Sequence, residues 1–131
     1  MLVKKERDNF WILNWLDEYM TGHNGFIVGC CFKNIFNQEK VKDLDIFFKS
    51  KEDFDNAVIY FNGLCGEDNK NGTYRFYYEN PNVRAYKHIK SGITIELCYK
   101  IFGTAEEILN QFDFTIVKFA YYKEEVTDNI D

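Results

Sequence analysis

The segment 43–49 alternates in the manner that is typical of a half-buried β-strand. One face carries only apolar side chains and the other carries two acids and a ring; the faces consist of Leu44, Ile46 and Phe48, and of Asp43, Asp45 and Phe47. Because period-two alternation places a strand between the core and the surface, the segment predicts a strand whose apolar face is anchored in the core of a sheet protein.

Helix signals occur at four places in the chain. Residues 4–20 carry apolar side chains at helical spacing, and Gly22 behind them is a plausible stop. Capping signals at Ser50 and at Thr104 predict the starts of two further helices, with ends near Gly63 and Gln111. A short helix is also expected over 31–36.

Strand signals fill most of the remaining chain. They cover 26–28, 43–49, 73–78, 83–89, 93–99 and 114–122, with a hairpin turn at 90–92. The resulting order, α-β-α-β-α-β-β-β-α-β, predicts an α+β protein, that is a mixed α/β chain whose mixed sheet is flanked by helices.

Length and composition predict one domain. The chain has 131 residues, of which 46% are hydrophobic and 18% aromatic, so it can fill a core with rings and is not a disordered chain. The expected domain covers 1–122, and the acidic, charge-rich tail 123–131 is expected to be flexible.

Charge and targeting signals limit the kinds of partner that the protein is expected to bind. The net charge of −5 argues against direct nucleic-acid binding through phosphates. No run approaches the roughly 18 apolar residues of a membrane span, and the four cysteines come without a signal peptide. These features predict a cytoplasmic protein with reduced thiols and no membrane partner.

Three acids are the candidate catalytic and metal-binding residues. Asp43 and Asp45 stand at i and i+2 and therefore share a strand face, where their oxygens could share a divalent cation. Glu96 is the single acid in the middle of the strand 93–99, whose other face is apolar. If the two strands are neighbours, the three carboxylates converge.

These motifs resemble those of the DNA polymerase β-type nucleotidyltransferases, in particular the head domain of CCA-adding and poly(A) polymerases. Gly29 fits the first glycine of that family's Gly-Gly bend, Asp43 and Asp45 fit its metal-binding pair, and Glu96 lies in a stretch similar to its third-carboxylate strand. The resemblance implies a nucleotidyltransferase-like fold that binds a nucleoside triphosphate and Mg²⁺, rather than zinc, and that transfers a nucleotide to a partner or has lost catalysis.

The chain departs from that family's pattern in its phosphate-binding segment. Cys30 replaces the second glycine, and Lys33 with Asn34 stands in place of an Arg-Asp pair. Gly29, Cys30 and Lys33 are nevertheless the residues that the resemblance assigns to the cofactor's phosphates. The helical domains with which tailing polymerases hold RNA are not seen in the sequence, which makes a minimal, stand-alone protein the expected form.

Two other functions stay open. The composition, rich in Asn, Lys, Phe and Tyr, suggests a low-GC bacterium or its phage, and small acidic phage proteins often block host machinery. The alternative is therefore a non-catalytic, anti-CRISPR-like inhibitor that acts by contact with a protein partner. The third possibility is a structural metal ion, such as zinc held by cysteines with His23 or His88.

Overall fold

The computed structural model describes residues 2–4, 16–28, 40–69, 71–111 and 120–122. Within them the helices and strands follow one another as β1 (Leu2–Lys4), α1 (Asp17–Met20), β2 (Phe26–Val28), β3 (Asp43–Phe47), α2 (Lys51–Gly63), β4 (Tyr74–Glu79), β5 (Val83–His88), β6 (Thr94–Cys98), α3 (Ala105–Leu109) and β7 (Ala120–Tyr122). A 3₁₀ turn, Glu67–Asn69, precedes β4.

All of these strands belong to one mixed sheet. Its order is β1-β7-β2-β3-β6-β5-β4. The pairs β1–β7 and β3–β6 are parallel, and the other neighbouring strands are antiparallel. The predicted α+β class, a mixed sheet with flanking helices, is therefore confirmed.

The main core lies between one face of the sheet and the helices α1 and α2. The apolar positions predicted for the strand 43–49 point into it, since Leu44, Ile46 and Phe48 are fully buried. Helix α2 contributes a buried stripe that packs on the same strands; it consists of Phe54, Ala57 and Phe61.

A second, smaller apolar cluster covers part of the opposite face. It joins strands β2, β3 and β6 to helix α3, and consists of Phe26, Val28, Phe47, Cys98 and Ile108. Beside this cluster on the same strands, Asp45 and Glu96 are half-buried and Asp43 is exposed.

Both predicted helix starts are confirmed by their capping hydrogen bonds. The Ser50 hydroxyl accepts from the Asp53 amide at 3.3 Å. At α3 the Thr104 hydroxyl accepts from the Glu107 amide at 3.2 Å, while the Glu107 carboxylate accepts from the Thr104 amide at 2.9 Å. Each cap satisfies amides that would otherwise lack a partner at the helix start.

The helix expected over 4–20 is only partly correct. Its last turn forms α1, and Gly22 follows it with a φ of +86°. Lys4, however, is the last residue of β1, because it pairs in parallel with β7 at the edge of the sheet. Helical spacing does not reveal such a long-range pairing. Residues 5–15 of that segment lie outside the described residues, as do the helix predicted over 31–36, most of the strand predicted over 114–122 and the tail 123–131.

The outer edge of the sheet at β4 is covered by side-chain and loop groups. The Asn69 amide oxygen accepts from the Phe76 amide at 2.6 Å, and the Asn69 amide nitrogen donates to the Phe76 carbonyl at 3.0 Å. The Tyr74 amide donates to the Leu64 carbonyl at 3.2 Å. Asn69 therefore occupies the place that the next strand would take.

No helix among the described residues is both long enough and apolar enough to cross a membrane.

The turn after α1 gives a test of the packing. At Gly22 an added Cβ would lie 2.2 Å from a ring carbon of Tyr60, and the positive φ strains any other residue. We expect Gly22→Ala to lower the free energy of unfolding by about 1–3 kcal/mol. Urea denaturation measures the change.

The matched control is Gly63→Ala, at the end of α2. An added Cβ there meets nothing within 4 Å. Because alanine favours helix over glycine, this variant should be unchanged or slightly more stable than the parent. Equal stability of the two variants would contradict the close packing of Gly22 on Tyr60.

Candidate functional site

The parallel pairing of β3 with β6 brings the three predicted acids onto one face of the sheet. Asp45 stands opposite Glu96 and Asp43 opposite Thr94 in the register of these strands. The expectation that the two strands are neighbours is thus confirmed. Asp43, Asp45 and Glu96 are called the acid cluster below.

The acid cluster is an electrostatically strained arrangement. Asp45 and Glu96 are half-buried, whereas Asp43 is exposed. Burial raises the pKa of Asp45 from 3.8 to about 7, and a hydrogen bond with Glu96 and the charges of Glu96 and Asp43 act in the same direction. Since two facing carboxylates cannot share a hydrogen bond without a proton, Asp45 keeps its proton up to near-neutral pH.

On one side, the three acids adjoin the small apolar cluster that packs against α3. Cys98 is buried there, two residues beyond Glu96. Burial, followed by the charges of Asp45 and Glu96, raises the pKa of the Cys98 thiol far above its ordinary value. Cys98 therefore acts as a small buried apolar side chain and not as a nucleophile.

Tyr78 completes the cluster on its other side. Its hydroxyl donates a hydrogen bond to Oε1 of Glu96. This bond is the largest of the effects that raise the pKa of Tyr78, and burial and the neighbouring acids add to it. Glu96 is thus held between two donors, the protonated Asp45 and Tyr78, and its side chain has a fixed position.

Tyr78 reaches the acids because β4 contains an irregularity. Phe76 pairs with Tyr86 on β5, but Tyr78 pairs with the next residue, Ala85, so Tyr77 is an extra residue in the strand. Ala85 in turn stands opposite Glu96. A bulge of this kind re-aims the following side chain, and here it turns Tyr78 toward Glu96.

The bulge also places a ring beside two cations. The guanidinium carbon of Arg75 lies 5.0 Å from the centre of the Tyr77 ring, and Nζ of Lys87 lies 4.5 Å from it. The Tyr77 and Tyr78 rings meet edge to face at 5.2 Å. Arg75, Tyr77 and Lys87, called the cationic patch below, therefore adjoin the acid cluster.

The described residues test neither the metal prediction nor the phosphate-binding prediction. Asp45 and Glu96 are in contact and Asp43 is close enough to act on the pKa of Asp45. Among the described residues, however, no group of three or more His, Cys, Asp or Glu side chains is arranged to hold a metal ion. The Mg²⁺ site at the three acids stays a prediction. Gly29, Cys30 and Lys33 lie outside the described residues.

The histidines proposed for a zinc site have other partners. Nε2 of His23 lies 2.7 Å from the Tyr19 carbonyl, and its Nδ1 accepts from the Gly25 amide at 3.0 Å. Burial lowers the pKa of His23, which fits a neutral ring with both nitrogens occupied. Nδ1 of His88 lies 2.8 Å from the Ser91 hydroxyl. In the described part of the chain, both rings serve structural hydrogen bonds.

The comparisons with known proteins give the family. The sequence profile of the Gabija anti-defense 2 family matches residues 5–129. The chain belongs to this family. A protein of Bacillus phage SPbetaL7 described as "Gabija anti-defense 2" is 28% identical over 107 residues, which are 81% of this chain and 24% of the phage protein.

The chain thus spans about a quarter of the length of the curated relative that it matches. No solved structure matches the chain. The match supports the part of the sequence interpretation that assigned the chain to small phage-type proteins. Membership of the nucleotidyltransferase superfamily is not shown by either match and stays a prediction.

Sequence reasoning missed Tyr78 and the cationic patch as site residues. Tyr77 and Tyr78 lie in the segment 73–78, for which the sequence pattern predicts only a strand. Tyr74 and Tyr86 lie in the core, as packing requires. The one local signal for the site was the run of three rings, Phe76 to Tyr78, which breaks the period-two pattern.

The proton held by Asp45 predicts a pH dependence of stability. An acid whose pKa is raised on folding destabilises the folded state as pH rises from its unfolded pKa to its folded pKa. Stability should therefore fall between about pH 4 and about pH 7, as far as Asp45 contributes. Asp45→Asn, which keeps a donor toward Glu96, should be more stable than the parent at about pH 8 by about 1–3 kcal/mol, after a discount for partial exposure.

Thermal unfolding of the two proteins in the presence of a chelator, at acid and at alkaline pH, measures this difference. Asp43→Asn is the matched control, because Asp43 is exposed on the same strand and is only the last of the causes that raise the pKa of Asp45. Its effect should be clearly smaller. A stability difference for Asp45→Asn that does not grow with pH would show that Asp45 titrates normally.

Proposed function

We propose that this chain is an anti-defense protein that counteracts a Gabija-type defence system by binding one of that system's protein components. The observation that carries the proposal is the family match over residues 5–129. The named function of the phage relative, anti-defense against Gabija, gives the target.

The surface chemistry supports action through a protein partner. One face of the sheet presents fixed acids, an exposed tyrosine and two cations, and these types of side chain give an interface orientation and specificity. The chain's net charge of −5 is unfavourable for gripping nucleic acid directly. An acidic surface of this kind can also compete for sites that normally receive phosphates.

The test is phage growth on a host that carries Gabija. Expression of this chain should raise the plating efficiency of a Gabija-sensitive phage by at least about tenfold. An inhibitor whose concentration is well above its Kd leaves little of its target free. Plating is counted with and without induction of the chain.

Two control hosts accompany that experiment, one without a defence system and one with an unrelated system. The chain should leave plating unchanged on both. Unchanged plating on the Gabija host, with soluble chain verified in the same cells, would contradict the proposal.

A second candidate function is nucleotidyl transfer at the acid cluster. The observation that favours it is the register of Asp45 with Glu96, with Asp43 two residues earlier on the same face. Asp43 and Asp45 would hold Mg²⁺, Glu96 would be the third carboxylate, and Gly29, Cys30 and Lys33 would receive the phosphates of a nucleoside triphosphate. The bound ions would lower the barrier by neutralising charge on the phosphates.

The same cluster supplies the chemical reason for a cation there. The pKa of Asp45 is raised first by burial, then by its hydrogen bond with Glu96 and by the charges of Glu96 and Asp43. A divalent cation relieves such repulsion by displacing the proton. The residues of this chain would then bind and orient the nucleotide. A hydroxyl of a protein partner would lose its proton and bond to the α-phosphorus, and the bond to the β-phosphate would break with release of pyrophosphate.

Calorimetry with Mg²⁺ and each of the nucleoside triphosphates tests this candidate. The parent should bind the magnesium–nucleotide pair, and Asp43→Asn and Asp45→Asn should each weaken binding by about tenfold or more, because a ligand charge is lost. Glu52→Gln, an exposed acid on α2, removes one charge elsewhere and should bind like the parent.

Equal binding by all four proteins, or binding by none, would rule out the candidate. Loss of plating rescue in Asp45→Asn together with undetectable nucleotide binding by the parent would instead place the acid cluster in the protein interface.

A further inference from the structure

We propose that the cationic patch, Arg75, Tyr77 and Lys87, is the surface that binds the protein partner, and that it takes an acidic segment of that partner. The inference rests on the proposed function only for the identity of the partner. The chemistry of the patch itself follows from four observations on strands β4 and β5.

The first observation is that the two cations are held side by side. Arg75 and Lys87 stand opposite each other in the β4–β5 register, and both are half-buried. Both contact the same ring, that of Tyr77, at 5.0 and 4.5 Å from its centre. A ring flanked in this way restricts two otherwise flexible side chains, so less conformational entropy is lost when they bind an anion.

The second observation is that their charges are not compensated. Among the described residues, neither Arg75 nor Lys87 makes an ion pair. Arg84 on the same pair of strands shows the contrast, since it pairs with Glu79 at 3.3 Å and donates to the Tyr86 hydroxyl at 2.7 Å. Arg84 therefore has a structural role, whereas the two cations of the patch have no ion-pair partner among the described residues.

The third observation concerns the adjoining acids. Asp45 and Glu96 hydrogen-bond each other, and Tyr78 donates to Glu96. Asp45 and Glu96 are thus engaged with donors of their own, and within the described part of the chain none of the three acids of the cluster forms an ion pair with Lys87 or Arg75. The positive charge of the patch stays available at the surface.

The fourth observation is the exposure of Tyr77. Its side chain is 44% exposed, while Tyr74 and Tyr86 on the neighbouring positions are buried. Tyrosine and arginine are the residue types that dominate binding energy at protein interfaces. An exposed tyrosine between two unpaired cations therefore has the composition of an interface centre for an acidic partner.

Charge favours a protein segment over nucleic acid at this surface. The chain carries −5 overall, and the acid cluster adjoins the patch on the same face, so a long polyphosphate backbone that continued from the patch onto β6 and β3 would meet repulsion. The cations over the Tyr77 ring also occupy surface that a base would need for stacking. A short acidic segment can meet the two cations without crossing the acids.

The experiment compares charge-reversed proteins in two assays. Arg75→Glu/Lys87→Glu reverses the patch, and Lys90→Glu/Lys100→Glu makes the same change of net charge at exposed sites outside it. Arg75→Gln/Lys87→Gln and Tyr77→Ala keep the test valid if the reversal unfolds the protein. Each is verified by thermal unfolding, then measured for plating on the Gabija host and for binding to purified Gabija proteins at several salt concentrations.

The parent and the Lys90/Lys100 control are expected to bind the Gabija protein. Reversal of the patch should weaken binding at least about tenfold, and the association rate of the reversed protein should no longer depend on salt concentration. Binding and rescue by the reversed patch equal to the control would overturn this inference while leaving the proposed function intact. A parent that neither binds nor rescues would overturn both. Patch-dependent binding of a single-stranded oligonucleotide, with unchanged binding of Gabija proteins, would assign the patch to nucleic acid instead.

Discussion

The parallel pairing of β3 with β6 is the constraint on which the described face of the sheet depends. Pairing these strands in this register buries the apolar side chains of both in the main core. The same register forces Asp45 to stand opposite Glu96. The hydrophobic free energy of the one face therefore holds two acids together on the other, and the cluster exists because the core outweighs its repulsion.

Much of the fold follows from local patterns in the sequence. The alternation over 43–49, the capping residues Ser50 and Thr104, and the turn at 90–92 each act within a few residues, so they predict their elements correctly. Lys4 shows the limit. It has a helical neighbourhood in sequence but joins a strand at the other end of the chain, and no local signal records that partner.

The candidate site could be predicted only in part, for the same reason. The period-two alternation places Asp43 and Asp45 on one face of their strand. Glu96 is unusual because it is the single acid in the middle of a strand whose other face is apolar. Their meeting is a matter of strand order, which is a property of the whole sheet. The position of Tyr78 beside the acids could not be predicted from the sequence. A single extra residue at Tyr77 moves every later side chain of the strand to the face opposite the one that alternation predicts.

Family membership and site geometry bear on different questions. The match over residues 5–129 gives the family, and the chain spans only about a quarter of the length of the phage relative. The geometry adds two chemically distinct neighbouring surfaces, the acid cluster and the cationic patch. The acid cluster lies on β3 and β6 and the cationic patch on β4 and β5, which makes these four neighbouring strands the part to alter first.

Asn69 has a consequence beyond the edge that it covers. By supplying an amide donor and an amide acceptor to Phe76, it completes the last rung of the ladder with one side chain. A second copy of the chain, or any extended peptide, thus finds no free rung at Phe76 on which to begin a continued sheet. A partner that approaches this rung meets the Asn69 side chain and not a free backbone amide or carbonyl of Phe76.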